Sequence, residues 1–226
     1  MSIEAVLFDL DGTLVDTAPD LVAVLNQLLR ESGAPPAPFA IARNEVSNGA
    51  TGLIQLGFGP DLPPAQQEEL RRRFLEVYSS MVCINSRLFF ELEDIVDSIS
   101  TCAWGVVTNK PHLMTLPLLT ELGIAGRCAC IISGDRLPQK KPHPAPLLLA
   151  AEELGVAASR CVYVGDALRD IEAGRAAGMA TIAAAYGYIR PSEDLGAWGA
   201  DRVIRRPVEL TAAVRELATA KADDAA

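Results

Sequence analysis

Val6-Leu7-Phe8-Asp9-Leu10-Asp11-Gly12-Thr13-Leu14-Val15-Asp16-Thr17 decides how the rest of the chain is read. It opens as a short apolar run, which reads as a buried strand. It ends in two carboxylates, Asp9 and Asp11, followed by Gly12. Residues i and i+2 of extended backbone point to the same side. Two carboxylates held together need a cation, a shared proton, or both. Asp-Gly between apolar residues also reads as a hairpin turn. No second period-two strand follows, however. Residues 19–30 instead place Leu21, Val24, Leu25, Leu28 and Leu29 on one helical face. Strand, acidic turn and helix make an α/β unit.

Working outward, residues 16–86 show helical patterns and no strand signal. Residues 32–38 are a loop and residues 39–47 a short helix. Asn48-Gly49-Ala50-Thr51-Gly52 breaks the chain. Residues 65–82 form a long helix with Leu70, Phe74, Val77, Tyr78 and Met81 on one side. From about residue 87 the rhythm changes. Short apolar runs at 104–107, 129–132, 161–164, 181–184 and 202–204 alternate with helical segments near 92–100, 113–122, 145–154 and 170–177. All-apolar strands spaced by helices mean a parallel sheet covered on both faces. The fold class expected is therefore α/β: a doubly wound parallel sheet with a Rossmann-like core and an inserted all-helical domain. Residues 1–15 plus 87–217 make the core, 16–86 the insert, and 218–226 a disordered tail.

The 226 residues carry a net charge of −9, and the pI is about 4.8. That field disfavours nucleic acid and anionic membrane as partners. A small phosphorylated substrate would need local positive charge. The five cysteines, at 83, 102, 128, 130 and 161, are scattered. They read as reduced core thiols, and Cys128-Ala129-Cys130 lacks companions to complete a metal site. No secretory signal and no bilayer-length apolar run is visible, so a cytoplasmic location is expected. Oligomeric state leaves no trace in the sequence.

In doubly wound sheets ligands bind outside the carboxyl ends of the strands. Those ends deliver Thr108-Asn109-Lys110, Ser133-Gly134-Asp135 with Lys140-Lys141-Pro142-His143-Pro144, and Gly165-Asp166-Ala167-Leu168-Arg169-Asp170. Each segment alone could be turn or cap chemistry: Thr108 and Asn109 as turn residues, Lys141 as a surface lysine, Asp166 and Asp170 as helix-start acids. Together with Asp9 and Asp11 they crowd one rim.

In this order the four segments resemble the motifs of the haloacid dehalogenase-like hydrolases. The likeness covers nearly the whole chain, insert included. Leu14-Val15-Asp16-Thr17-Ala18-Pro19-Asp20-Leu21 is similar to the phosphoglycolate phosphatase type, which carries a helical cap. Val46-Ser47-Asn48-Gly49-Ala50, residues 104–111 and Ala185-Tyr186-Gly187-Tyr188-Ile189 resemble bacterial N-acetylmuramic acid 6-phosphate phosphatases. Where relatives often carry Pro-Gly, this chain reads Leu88-Phe89-Phe90-Glu91, so that turn must be built differently.

The resemblance implies a Mg2+-dependent phosphatase acting through an aspartyl-phosphate. Asp9 would be the nucleophile. Asp11 would give a proton to the leaving oxygen and take one from water. Lys141, Thr108 and Asn109 would neutralise and bind the phosphoryl group. Asp9, Asp166 and the backbone carbonyl of Asp11 would hold the metal, with Asp170 holding a metal water or Lys141. Asn48 and Gly49 read as a turn or as a cap loop touching substrate, and Arg43 and Arg190 as solvated or as grips for an anionic group. Lys110 and Lys140 read as solvated, His112 and His143 as loop residues. N-acetylmuramic acid 6-phosphate is the expected substrate, with 2-phosphoglycolate or a sugar-phosphate mutase reaction as alternatives. An aspartate at position 11 argues against a dehalogenase, which has no alkoxide to protonate. A phospho-accepting receiver domain would need a chain about half as long.

Overall fold

The computed structural model describes residues 2–90, 92, 95 and 102–223. The strands are β1 (Ala5–Phe8), β2 (Val15–Asp16), β3 (Arg87–Leu88), β4 (Ala103–Val107), β5 (Cys130–Ile132), β6 (Cys161–Gly165), β7 (Ala180–Ala184) and β8 (Arg202–Ile204). Six form one sheet in the order β5-β4-β1-β6-β7-β8, and every pairing within it is parallel. β1 sits inside it between β4 and β6. Ala5 and Leu7 face one core with Leu147, Ala150 and Tyr163. Val6 and Phe8 face the other with Trp104, Leu118 and Val214. A strand buried on both faces has no polar position to spare, so it reads as an unbroken apolar run.

The described helices are α1 (Ala18–Glu31), α2 (Phe39–Ala42), α3 (Gly49–Phe58), α4 (Pro64–Ser79), α5 (His112–Glu121), α6 (Ala145–Leu154), α7 (Leu168–Ala176) and α8 (Leu210–Asp223). α1 to α4 lie in the segment between β2 and β3. They share an apolar centre in which Leu21, Leu25, Leu28 and Leu29 meet Leu53, Ile54, Phe74, Val77 and Tyr78. Met114 of α5 and Tyr188 of the loop after β7 join that centre, so the insert is packed onto the core. None of these helices is long and apolar enough to cross a membrane.

Two expectations change. The segment expected to lack strands, 16–86, is bracketed by a two-residue antiparallel pair, Val15 with Leu88 and Asp16 with Arg87, so that its first residue is in a strand. Two residues are too few to show a period. Residues 218–223, expected to be disordered, continue α8. The helix expected over 92–100 lies mostly outside the described residues. At the turn without Pro-Gly, the Phe89 amide bonds to the Leu14 carbonyl at 3.2 Å. Its ring stands edge-on to Tyr186 with centroids 5.0 Å apart, while Phe90 is exposed.

Candidate active site

β1 ends one residue before Asp9, β4 one residue before Thr108, and β6 in Gly165, one residue before Asp166. Because the three strands run parallel and adjacent, their ends deliver these side chains to one rim. Asp9, Asp166 and Asp170 are all buried, and each offers a carboxylate oxygen within 4.8 Å of the others. Gly12 (φ +88°) makes this possible: a Cβ there would lie 2.2 Å from Asp166 Oδ2. Only glycine adopts that turn and leaves the room.

Lys141, 4% exposed, enters the cluster from the loop before α6. Its ammonium lies 2.9 Å from Asp9 Oδ1 and 2.8 Å from Asp170 Oδ1. It also donates to the Tyr163 hydroxyl at 2.7 Å and the Val107 carbonyl at 3.1 Å. Burial favours the neutral amine, but Asp170 and Asp9 outweigh it and hold the pKa above the ordinary lysine value. Asp170 is pushed upward by burial against the pull of Lys141. Its Oδ2 accepts the Ala167 amide at 3.0 Å.

Asp166 meets neutral donors: the Thr13 hydroxyl at 3.2 Å, the Ser47 hydroxyl at 2.8 Å and the Tyr188 amide at 2.9 Å. Burial, with Asp9 and Asp170 beside it, raises its pKa to about 7. Three hard oxygen ligands with an excess of negative charge fit a divalent cation such as Mg2+.

Asp11 stands outside this three-carboxylate cluster. Its Oδ1 accepts from Lys110 Nζ at 2.9 Å and from the Thr17 hydroxyl at 2.6 Å. Lys110 is therefore not solvated, as expected, but buried between Asp11 and the Tyr78 ring, 4.5 Å from its centroid. Burial lowers the Lys110 pKa, yet Asp11 and Tyr78 more than offset that and leave it raised.

Thr108 is buried at the rim, and its hydroxyl accepts the Lys110 amide at 3.1 Å. Both ends of the Asn109 carboxamide are occupied by the Lys141 backbone, at 3.1 and 3.0 Å. The Asn109 side chain thus also fixes where Lys141 sits. Arg43, like Lys110, is corrected. Its guanidinium donates to the Gly187 and Tyr186 carbonyls at 3.0 and 3.2 Å and covers the Tyr188 ring. Arg190 is spent on Glu45. Both arginines join insert to core. His112 and His143 are exposed, and the latter accepts the Ala145 amide at 3.1 Å. None of the five cysteines is joined in a disulfide, and burial pushes Cys128 and Cys130 up to about 12.

A cavity of about 370 Å³ opens above Asp9 and Asp11, between core and insert. Thr108, Asn109, Asn48 and Gly49 line it, as do Lys140, Arg71 and Arg169. Ser47, Arg169, Tyr163 and Tyr188 escaped the sequence reading as site residues. Arg169 sits inside the acidic segment 166–170, the one local signal that could have found it.

Carboxylates, a buried lysine and a helical insert at the mouth of a parallel sheet define a class, the phosphate-handling α/β hydrolases. Residues 6–184 match the haloacid dehalogenase-like hydrolase family, and the chain belongs to it. A Xanthomonas campestris phosphoglycolate phosphatase is 44% identical over 208 residues, 91% of this chain and 94% of that one. A Pseudomonas aeruginosa N-acetylmuramic acid 6-phosphate phosphatase is 41% identical over 212 residues, 93% and 94% of the two chains. A Haemophilus somnus crystal structure, described as a predicted phosphoglycolate phosphatase, superposes with a TM-score of 0.82 at 28% identity. It covers 94% of this chain and 98% of its own. The chain is thus a phosphoric monoester hydrolase.

Proposed function

We propose that this enzyme is a cytoplasmic, Mg2+-dependent phosphatase that hydrolyses N-acetylmuramic acid 6-phosphate, a cell-wall sugar acid, through an aspartyl-phosphate on Asp9. The observation that carries the reading is the buried Asp9, Asp166, Asp170 and Lys141 cluster, whose Asp9 lines the cavity. Asp9, Asp166 and the Asp11 carbonyl would hold the metal, with Asp170 reaching it through water. Bound Mg2+ screens the repulsion between a carboxylate and a phosphate dianion.

In the first step an Asp9 oxygen forms the bond to phosphorus while the ester oxygen leaves, taking a proton from Asp11. In the second, Asp11 takes a proton from water, whose oxygen attacks phosphorus and releases Asp9 and inorganic phosphate. Lys141 neutralises the phosphoryl oxygens, and Thr108 offers them its hydroxyl. Residues 16–86 act as a cap that selects the leaving group.

The cavity supports the sugar acid. Its volume lies within the range of roughly 300–1,000 Å³ common to small-molecule sites. Leu21, Val46, Phe74, Leu75 and Tyr78 of the insert give it an apolar wall suited to a pyranose face and methyl groups. A 2-phosphoglycolate reading is favoured by the 44% identical relative. A phosphate-release panel decides between them. N-acetylmuramic acid 6-phosphate should show the highest kcat/KM, with 2-phosphoglycolate and a hexose 1-phosphate far below. Preference for 2-phosphoglycolate would move the assignment to it, and isomerised hexose phosphate without release would indicate a mutase. Asp9→Asn should abolish release with the fold intact, and Asp11→Asn should slow both steps. Normal turnover by Asp9→Asn would remove the covalent route.

A further inference from the structure

The turn at residues 43–48 belongs to the insert, yet it is tied to the core at four points. Arg43 holds the Gly187 and Tyr186 carbonyls. Glu45 pairs with Arg190. The Ser47 carbonyl accepts from Arg169. The Ser47 hydroxyl donates to Asp166 Oδ2 at 2.8 Å. Only the last reaches the carboxylate cluster, and it shares that oxygen with the Tyr188 amide at 2.9 Å. Thr13 holds the other oxygen at 3.2 Å. Thr13 and Tyr188 lie in core loops, directly after β1 and β7. Ser47 rides on the insert, so its bond exists only while the insert is docked.

We propose that Ser47 is a positioning residue for Asp166, and that through it divalent-cation affinity depends on whether the insert is docked. This rests on the reading of Asp9, Asp166 and Asp170 as a metal site. Groups that orient a ligating carboxylate commonly change metal affinity about 10- to 100-fold when removed. Ser47 supplies that orientation from a segment that can separate from the ligands it orients. Linkage is reciprocal: if docking tightens metal binding, metal tightens docking by the same factor. Among the described residues the Arg43 guanidinium bonds to the Gly187 and Tyr186 carbonyls and not to Asp166. Loosening the turn at Arg43 therefore weakens metal binding from a distance.

The test measures Mg2+ affinity by calorimetry on the full chain, without substrate or phosphate. Ser47→Ala should bind Mg2+ about 10-fold more weakly. Ser47→Thr, which keeps the hydroxyl, should bind within about 2-fold of the wild type. Arg43→Ala should also weaken binding, and protease cleavage within residues 43–51 should slow on adding Mg2+ in the wild type but not in Ser47→Ala. A purely packing role for Ser47 would lower thermal stability and leave Mg2+ affinity unchanged, which overturns the proposal. Wild-type protein that binds Mg2+ no better than Asp166→Asn would overturn the metal-site reading, and this inference with it.

Discussion

Lys141 serves two carboxylates, a carbonyl and a phenol from one ammonium group. Removing one partner of a buried ion pair leaves the other charge without water or counterion, at a cost of about 3–5 kcal/mol. Lys141→Ala strands Asp9 and Asp170 together. Its urea midpoint should fall accordingly near neutral pH and recover partly in acid, where Asp170, already pushed upward by burial, can take a proton. An unchanged midpoint would mean that water enters the cluster freely. The residue type and its place before Pro142 were legible in the sequence. The Tyr163 hydroxyl beneath it was not, because Tyr163 reads simply as one more apolar position in a buried strand.

Asp20 is the corresponding anchor for an element. It opens α1 and is fully buried. Its carboxylate accepts the Asn85 amide at 2.8 Å, the Ser86 amide at 2.9 Å and the Ser86 hydroxyl at 2.6 Å. The first helix of the insert is thus strapped to the strand that leads out of it. Hydrogen bonds to a charged group contribute about 1.5–3 kcal/mol each. Asp20→Ala should therefore lower stability by at least that much, measured by denaturant unfolding, and free the insert to move. At the sequence level an acid in a first helical turn is explained by the helix dipole alone. Its partners lie 65 residues away, so no local pattern exposes them.

At the scale of the whole molecule, Asp166 makes stability depend on pH. Its folded pKa, about 7, lies above the ordinary value of 3.8 because burial, Asp9 and Asp170 disfavour ionisation. Between those values the folded state binds more protons than the unfolded chain, so stability must fall as pH rises. The contribution is fully present below the ordinary carboxylate value and is lost as pH passes through about 7. Metal-stripped protein should melt at a lower temperature at about pH 8 than at about pH 5, and Asp166→Asn should flatten that slope. Added Mg2+ should raise the melting temperature most at the higher pH, because its ligands must first lose their protons. A Mg2+ effect independent of pH would separate Asp166 from the metal.

The sequence by itself determined the parallel core, the inserted helices and the rim of Asp9, Asp11, Thr108, Lys141 and Asp166. Strand period, turn chemistry and strand ends are local properties, and a parallel sheet gathers its strand ends at one edge. Only the tertiary structure decided that Asn109 braces Lys141, that Lys110 is buried on Asp11, and that Arg43, Glu45 and Ser47 bind the insert to the core. Lys110 and Arg43 look solvated in sequence because their partners lie far along the chain, and long polar side chains take their partners from packing rather than from neighbours.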